Sequence, residues 1–250
     1  MTIKYMLFST YIKRRSVIFD KHIENLENKI NANRLVNELG IQVPCIYHVL
    51  ETADDLNNVK LPNNCVIKFN NLACSNGIVI RKNSNYINYN SLEKVIDYLK
   101  QFENQPPRGQ ISIHNIKQLI MVEELLEPCS GDVLYDIKCF CFYGKVKYIQ
   151  VINPIDRNEC CMYNREGTLE YIYKKDAYSK SNFVKKPKYF NDVIKEATKV
   201  ASHFTKDYAL RIDFYSTTKG VVFGEFTFNP NAGNGLTKIG DKLMGSYLKE

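Results

Sequence analysis

The chain has 250 residues, a formal net charge of +7 and 44% apolar residues. That length suits one large domain or two small ones with a real core, and no apolar run approaches the roughly 18–20 residues of a membrane span. Basic residues are dispersed apart from Lys13-Arg14-Arg15 and Lys185-Lys186-Pro187-Lys188. With neither zinc-finger spacing nor an aromatic-basic RNA motif, specific nucleic-acid binding is not expected. The short apolar stretch 5–11 precedes its basic cluster, the reverse of a secretory signal, so a cytoplasmic location is expected. The eight cysteines include no C-x-x-C pair. Cys160 and Cys161 are adjacent, a poor disulfide geometry, and Cys139 and Cys141 share a strand face. Buried reduced thiols are expected rather than disulfides or structural zinc.

In chain order, residues 1–20 show no clear period. A helix is predicted over 21–39, with Ile23, Leu26, Ile30, Leu35 and Val36 apolar and Gly40 as its stop. A short helix over 53–59 is followed by strands 65–69 and 77–81. Ser91 caps a helix whose stripe is Leu92, Val95, Ile96 and Leu99. The segment 105–109, with Pro106-Pro107, is a breaker. Beyond it come strand 119–126, a hairpin over 133–142 and 145–152 through Tyr143-Gly144, and a second hairpin over 159–164 and 168–173. Residues 191–204 form the clearest helix, with Val193, Ile194, Ala197, Val200, Ala201 and Phe204 as its stripe. A third hairpin, 210–215 and 221–228, turns through Thr218-Lys219-Gly220, and a helix over 239–248 ends the chain. The pattern divides into an N-terminal helical and extended segment 1–60, a small lobe 61–116 and a large lobe 117–250. Its class is α+β.

The third hairpin concentrates the chemistry. Each strand carries one acid, Asp213 and Glu225, among large apolar neighbours. Antiparallel pairing can bring them together on one face. Two such carboxylates repel unless a cation lies between them, and oxygen ligands with phosphate suit Mg²⁺. Arg211 shares Asp213's face, and Asn229 shares that of Glu225 and Thr227. Lys68, in the apolar strand 65–69, needs an anionic partner such as phosphate. In 71–77, backbone N–H groups can cradle phosphate where glycine allows close approach. Glu123-Glu124-Leu125 ends a strand and can offer backbone groups and a carboxylate. Asp136 and Lys138 alternate, so both lie on one face.

The segments RIDFY and GVVFGEFTFNPNAG resemble the C-terminal signature of ATP-grasp enzymes, and more closely its TupA-like branch, named for teichuronopeptide biosynthesis. DIKCFCFYGKVKYI, VEELL and LPNNCVIKFNN extend the resemblance over roughly residues 30–245. It implies an ATP-grasp fold, with two α+β lobes clasping ATP and a short N-terminal helical segment. It implies ATP and Mg²⁺ as cofactors and Asp213, Glu225, Thr227 and Asn229 as metal ligands. Lys68 would hold the α- and β-phosphates, under a loop that includes Ser75, Asn76 and Gly77. The chain departs from the family's H-G-S-G-G pattern there, because Gly77 is the one glycine present. Glu123 or Glu124, with Leu125, would meet adenine, and Asp136 the ribose or Lys138. Lys138 would contact phosphate, Arg211 the transferring group, Arg157 an anionic substrate group, and the loop 230–235 an acceptor. The implied activity is an ATP-dependent carboxylate–amine or carboxylate–thiol ligase working through an acyl phosphate. Its acceptor would be small or polymeric, in cell-surface glycan or peptide-polymer modification. The alternatives are a kinase acting on a sugar or polyol hydroxyl, or a catalytically weak nucleotide-binding adaptor.

Overall fold

Three helices open the chain: α1 (Phe8–Ser16), α2 (Lys21–Glu27) and α3 (Lys29–Glu38). They come from a computed structural model that describes residues 6–72, 76–105, 111–129, 133–156, 159–173 and 186–248. α1 buries only Phe8 and Ile12, one turn apart, which explains why its sequence shows no period. The single helix expected over 21–39 is two helices. Asn28 leaves helical angles at φ −71° and ψ 108°, and its side chain accepts from the N–H groups of Ile30 and Asn31. A capping side chain thus breaks one helix and starts the next.

The first sheet contains β1 (Ile46–Leu50), β2 (Cys65–Phe69), β3 (Val79–Lys82), β4 (Asn85–Tyr86) and β5 (Ile120–Glu124). It is antiparallel, in the order β1-β5-β2-β3-β4. A helix, α4 (Leu92–Lys100), is capped by Ser91 and buries Val95, Ile96 and Leu99 against Cys65, Ile67 and Val122.

The second sheet contains β6 (Asp136–Phe142), β7 (Lys145–Ile152), β8 (Cys160–Asn164), β9 (Ala209–Thr217) and β10 (Gly220–Thr227), in the order β10-β9-β6-β7-β8. One face carries Ile137, Cys139, Ile149, Ile212 and Phe214 and is covered by α5 (Phe190–Phe204) and by Ile23, Leu26 and Val36 of α2 and α3. At one end of the other face, Phe140, Phe142 and Tyr148 pack on Phe8 and Ile12 of α1 and Met244 of α6 (Lys238–Gly245). The approach there is close: a Cβ on Gly245 would run into the Met6 carbonyl oxygen. The remainder of that face is polar and holds the site. The expected hairpin over 159–173 is realised on one side only. Among the described residues its returning arm makes single bridges, Tyr163 to Leu169 and Tyr173 to Leu236.

Among the described cysteines, Cys139 and Cys141 are buried, and burial pushes their thiols well up. Among the described residues no helix is long and apolar enough to cross a membrane.

Candidate functional site

One added residue sets the geometry of the hairpin. Val222 pairs with Tyr215 and Phe223 with Phe214, but the next partner of β9, Asp213, pairs with Glu225. Gly224 is the extra residue of a β-bulge. Because of it, Phe223 and Phe226 both reach the core although they are three positions apart. Glu225 thereby falls opposite Asp213. A Cβ on Gly224 would lie 2.9 Å from Tyr215 Cε2 and 3.1 Å from the Asp213 carbonyl oxygen.

The same registers run on across the sheet. Asp213 faces Lys138, Lys138 faces Gln150, and Gln150 faces Met162. Glu225, Asp213, Lys138 and Gln150 therefore form one polar row over four strands. Arg211 and Thr227 pair in the adjoining row on one side, Tyr215 and Asp136 on the other.

The acids do not face each other as unpaired charges, contrary to the expectation of simple repulsion. Arg211 donates to both Asp213 oxygens, Nε to Oδ1 at 2.6 Å and a terminal nitrogen to Oδ2 at 2.8 Å. Lys138 Nζ donates to Oδ2 at 2.8 Å and lies 3.3 Å from Asp136. Burial raises the Asp213 carboxyl, but Arg211 and Lys138 outweigh it and hold the group below its ordinary range. Burial likewise opposes the charge on Lys138, and Asp213 outweighs it, so that ammonium titrates above its usual value. Glu225 is held loosely. Its nearest cations, Arg211 and Lys29, are each 3.6 Å away.

The residues present fit a divalent cation with phosphate. The buried Asn229 Oδ1 has no hydrogen-bond partner, so it is an acceptor awaiting a donor or a cation. Thr227 Oγ1 accepts from Arg211 at 3.0 Å, lies 3.5 Å from Glu225 Oε1, and still presents an oxygen. Among the described residues no group of three His, Cys, Asp or Glu side chains forms a self-sufficient metal centre. Mg²⁺ takes one or two carboxylates and completes its shell with substrate phosphates and water.

The first sheet contributes a second set. Lys68 Nζ pairs with Glu123 Oε1 at 2.5 Å, both side chains being largely buried. Glu124 pairs with Lys219 of the β9–β10 turn. Leu125, Glu124 and that turn line a cleft of about 210 Å³. Gly77 has φ +64°, and a Cβ there would lie 2.7 Å from the Phe69 ring, so it packs the loop onto β2. Asn76 sits beside it in the same turn. Ser75 and Arg157 lie outside the described residues.

Four residues of the site were given no role from the sequence. Gln150 is 2% exposed and donates to Cys160 Sγ at 3.2 Å. Tyr173 accepts from Asn231 Nδ2 at 2.7 Å and hydrogen-bonds Gln150. Burial and then Asp136, Glu225, Asp213 and Glu123 push the Tyr215 phenol well above its ordinary value, which keeps it a proton donor. Lys29 is the fourth.

Three solved structures share this fold. The chain aligns with the VanG D-Ala:D-Ser ligase from Enterococcus faecalis at 16% identity and TM-score 0.54, covering 91% of this chain and 63% of that one. With the D-alanine–D-alanine ligase from Helicobacter pylori the values are 16%, 0.52, 90% and 61%. With the L-amino acid ligase from Bacillus licheniformis they are 17%, 0.51, 83% and 44%. The chain thus spans about 44% to 63% of those lengths. No match is found among curated proteins. The two antiparallel sheets with their helices form the α+β ATP-grasp fold, and the TupA-like ATPgrasp family matches residues 10–249. The chain belongs to that family.

Proposed function

We propose that the protein is an ATP-dependent carboxylate–amine or carboxylate–thiol ligase. The observation that carries this reading is the polar row: Glu225 opposite Asp213, bordered by Lys138 and Arg211, with an unpartnered Asn229 oxygen beside them. Two acids and several fixed cations match a magnesium polyphosphate better than a neutral ligand. Asp213, Glu225, Thr227 and Asn229 would hold Mg²⁺. Bound there, it supplies neutralisation of the charge on the phosphates. Lys68 and Lys138 bind phosphate oxygens, Glu123 or Glu124 with Leu125 meets the base, Asn76 and Gly77 border the phosphates, and Asp136 meets the ribose or steadies Lys138. The fold shared with three solved ligases supports ligase over kinase.

A substrate carboxylate oxygen attacks the γ-phosphorus, and the bond to ADP breaks. An amine attacks the resulting acyl phosphate, inorganic phosphate leaves, and the amine proton passes to solvent. Arg211 stabilises charge on the transferring group, so positioning and electrostatics carry the rate. The 230–235 loop receives the acceptor. Cell-surface glycan or peptide-polymer modification, a cytoplasmic location and the division into lobes at 61–116 and 117–250 complete the reading.

The test is to incubate the protein with ATP, Mg²⁺, hydroxylamine and a panel of amino acids, uronic acids and short peptides. A hydroxamate formed with ADP supports the ligase. A stable phosphorylated sugar without free phosphate replaces it with a kinase. ATP binding with no ADP from any acceptor replaces it with an adaptor.

A further inference from the structure

The basic cluster Lys13-Arg14-Arg15 has no part in the site described above. It closes the last turn of α1 and leads into a bend, 17–20, that ends at the Asp20 cap of α2. Val17, Ile18 and Phe19 stand in succession on that bend and are 73%, 50% and 48% exposed. Single exposed apolar residues are ordinary on a protein surface. An exposed run of three is a defect unless it has a use.

The bend is held from beneath. The buried Ser112 hydroxyl accepts from the Asp20 N–H at 2.9 Å and donates to the Ile18 carbonyl at 3.3 Å. These bonds bring its neighbour Ile111, itself 43% exposed, up to the run. The Asp20 carboxylate accepts from the N–H groups of His22 and Ile23, from Arg15 at 2.8 Å and from the Tyr208 hydroxyl at 2.9 Å. Arg15 in turn lies over the Tyr208 ring, 4.5 Å from its centroid. The polar groups of the bend therefore turn inward while its apolar side chains face out, so the exposure is built into the fold.

Charge selects the partner. Positions 13 to 22 hold four Lys or Arg residues and one acid, Asp20, which Arg15 already engages. Lys13 and Arg14 are exposed one helical turn before the run, and Lys21, paired with Glu24, is exposed on its other side. Cations on both flanks would meet their like in a symmetric pairing of two copies, which counts against a second chain as the occupant. Apolar side chains rimmed by cations complement a lipid surface with anionic headgroups. We propose that this bend docks the protein reversibly on such a surface. Val17, Ile18 and Phe19 enter the boundary between headgroups and acyl chains, and Lys13 and Arg14 meet the anionic headgroups. The inference stands apart from the nucleotide reading above.

The experiment is co-sedimentation with vesicles of phosphatidylcholine alone and of phosphatidylcholine and phosphatidylglycerol mixed two to one. It compares wild type, Val17→Ser/Ile18→Ser/Phe19→Ser and Lys13→Gln/Arg14→Gln. Wild type should bind the mixed vesicles in preference to the neutral ones, and less tightly as salt is raised. Each variant should bind the mixed vesicles about tenfold or more weakly. Thermal melts of both variants should match wild type, because the replaced side chains are already exposed. The chain has no tryptophan, so Phe19→Trp adds a sole reporter, whose emission should shift to the blue on the mixed vesicles. Failure of the wild type to bind the mixed vesicles overturns the proposal. So does equal binding to both kinds of vesicle, or undiminished binding by the serine variant. A wild-type dimer in ultracentrifugation that the serine variant dissociates also overturns it, and gives the patch to a second copy.

Discussion

Glu225 stands directly across the ladder from Asp213, and only the inserted Gly224 puts it there. The two positions are chemically unequal. Asp213 is locked by Arg211 and Lys138, whereas Glu225 is bordered by cations at 3.6 Å. Their substitutions should therefore diverge. Glu225→Gln should abolish ATP turnover and leave the melting temperature nearly unchanged. Asp213→Ala should abolish turnover and also destabilise by about 3–5 kcal/mol, because it strands two buried cations. Asp213→Asn separates the effects, keeping shape and acceptor oxygen. Thermal melts beside ADP release measure both. Full activity in Glu225→Gln and Asp213→Asn would remove the pair from the metal site.

The same pairing fixes a pH dependence. Asp213 titrates below its ordinary 3.8 in the folded protein. Its stabilisation is complete above that value and disappears as pH falls below it toward the folded value. Lys138 titrates above 10.5, so its share is complete below 10.5 and is lost as pH rises through the folded value. Denaturant unfolding of wild type and Asp213→Asn across both limbs should show a flatter acid limb in the variant. Parallel curves would mean that Arg211 and Lys138 do not govern the carboxylate.

Gly224→Ala tests the bulge. Its methyl group would meet the Tyr215 ring and the Asp213 carbonyl, inside normal contact distance. Overpacking of this kind costs about 1–3 kcal/mol. The larger consequence is a shift of Glu225 relative to Asp213, so activity should fall more than stability. A fully active, equally stable variant would show that the register tolerates the change.

Much of this arrangement was legible because it is local. Lys68, Asp136, Lys138, Arg211 and Asp213 sit in strands whose period assigns them a face, and the helices at Leu92–Lys100 and Phe190–Phe204 have full apolar stripes. The bulge was not legible, since Gly in a strand pattern does not reveal whether it takes a ladder position. α1 shows only two buried residues and so no period. Lys29 and Gln150 were missed because a lone polar residue in a helix or strand carries no spacing. Their partners come from Leu72, Glu225 and Cys160, and only tertiary packing brings these together. β5 lies beyond a proline-containing breaker yet pairs between β1 and β2, a connection that no local pattern encodes.

Lys68 is paired with Glu123, so Lys68→Met alone would leave a buried carboxylate unpaired. That variant confuses lost affinity with lost stability. The double variant Lys68→Met/Glu123→Gln removes both charges and keeps the shape. It should fold and bind ATP about tenfold or more weakly by calorimetry, the scale of one charged hydrogen bond. Glu123→Gln alone should show the smaller loss. Equal ATP affinity in wild type and the double variant would take Lys68 out of the nucleotide site.

The proposed acceptor loop carries backbone strain. Asn231 and Ala232 both adopt left-handed angles, φ +49° and +51°, directly before Gly233. The Asn231 side chain donates to Tyr173, and a Cβ on Gly233 would lie 2.9 Å from the Ser9 carbonyl oxygen. Packing on α1 therefore holds the turn in place. For alanine a left-handed residue costs about 1–2 kcal/mol, partly offset in glycine by the greater entropy of its unfolded chain. Ala232→Gly should thus raise stability by up to about 1 kcal/mol. If the strain pre-organises the loop for its acceptor, the same change should raise the acceptor KM and leave ATP affinity as it is. Thermal melting, ATP calorimetry and an acceptor titration decide the matter. A stabilised variant with an unchanged acceptor KM would make the strain a cost of packing against α1 and not a device for binding.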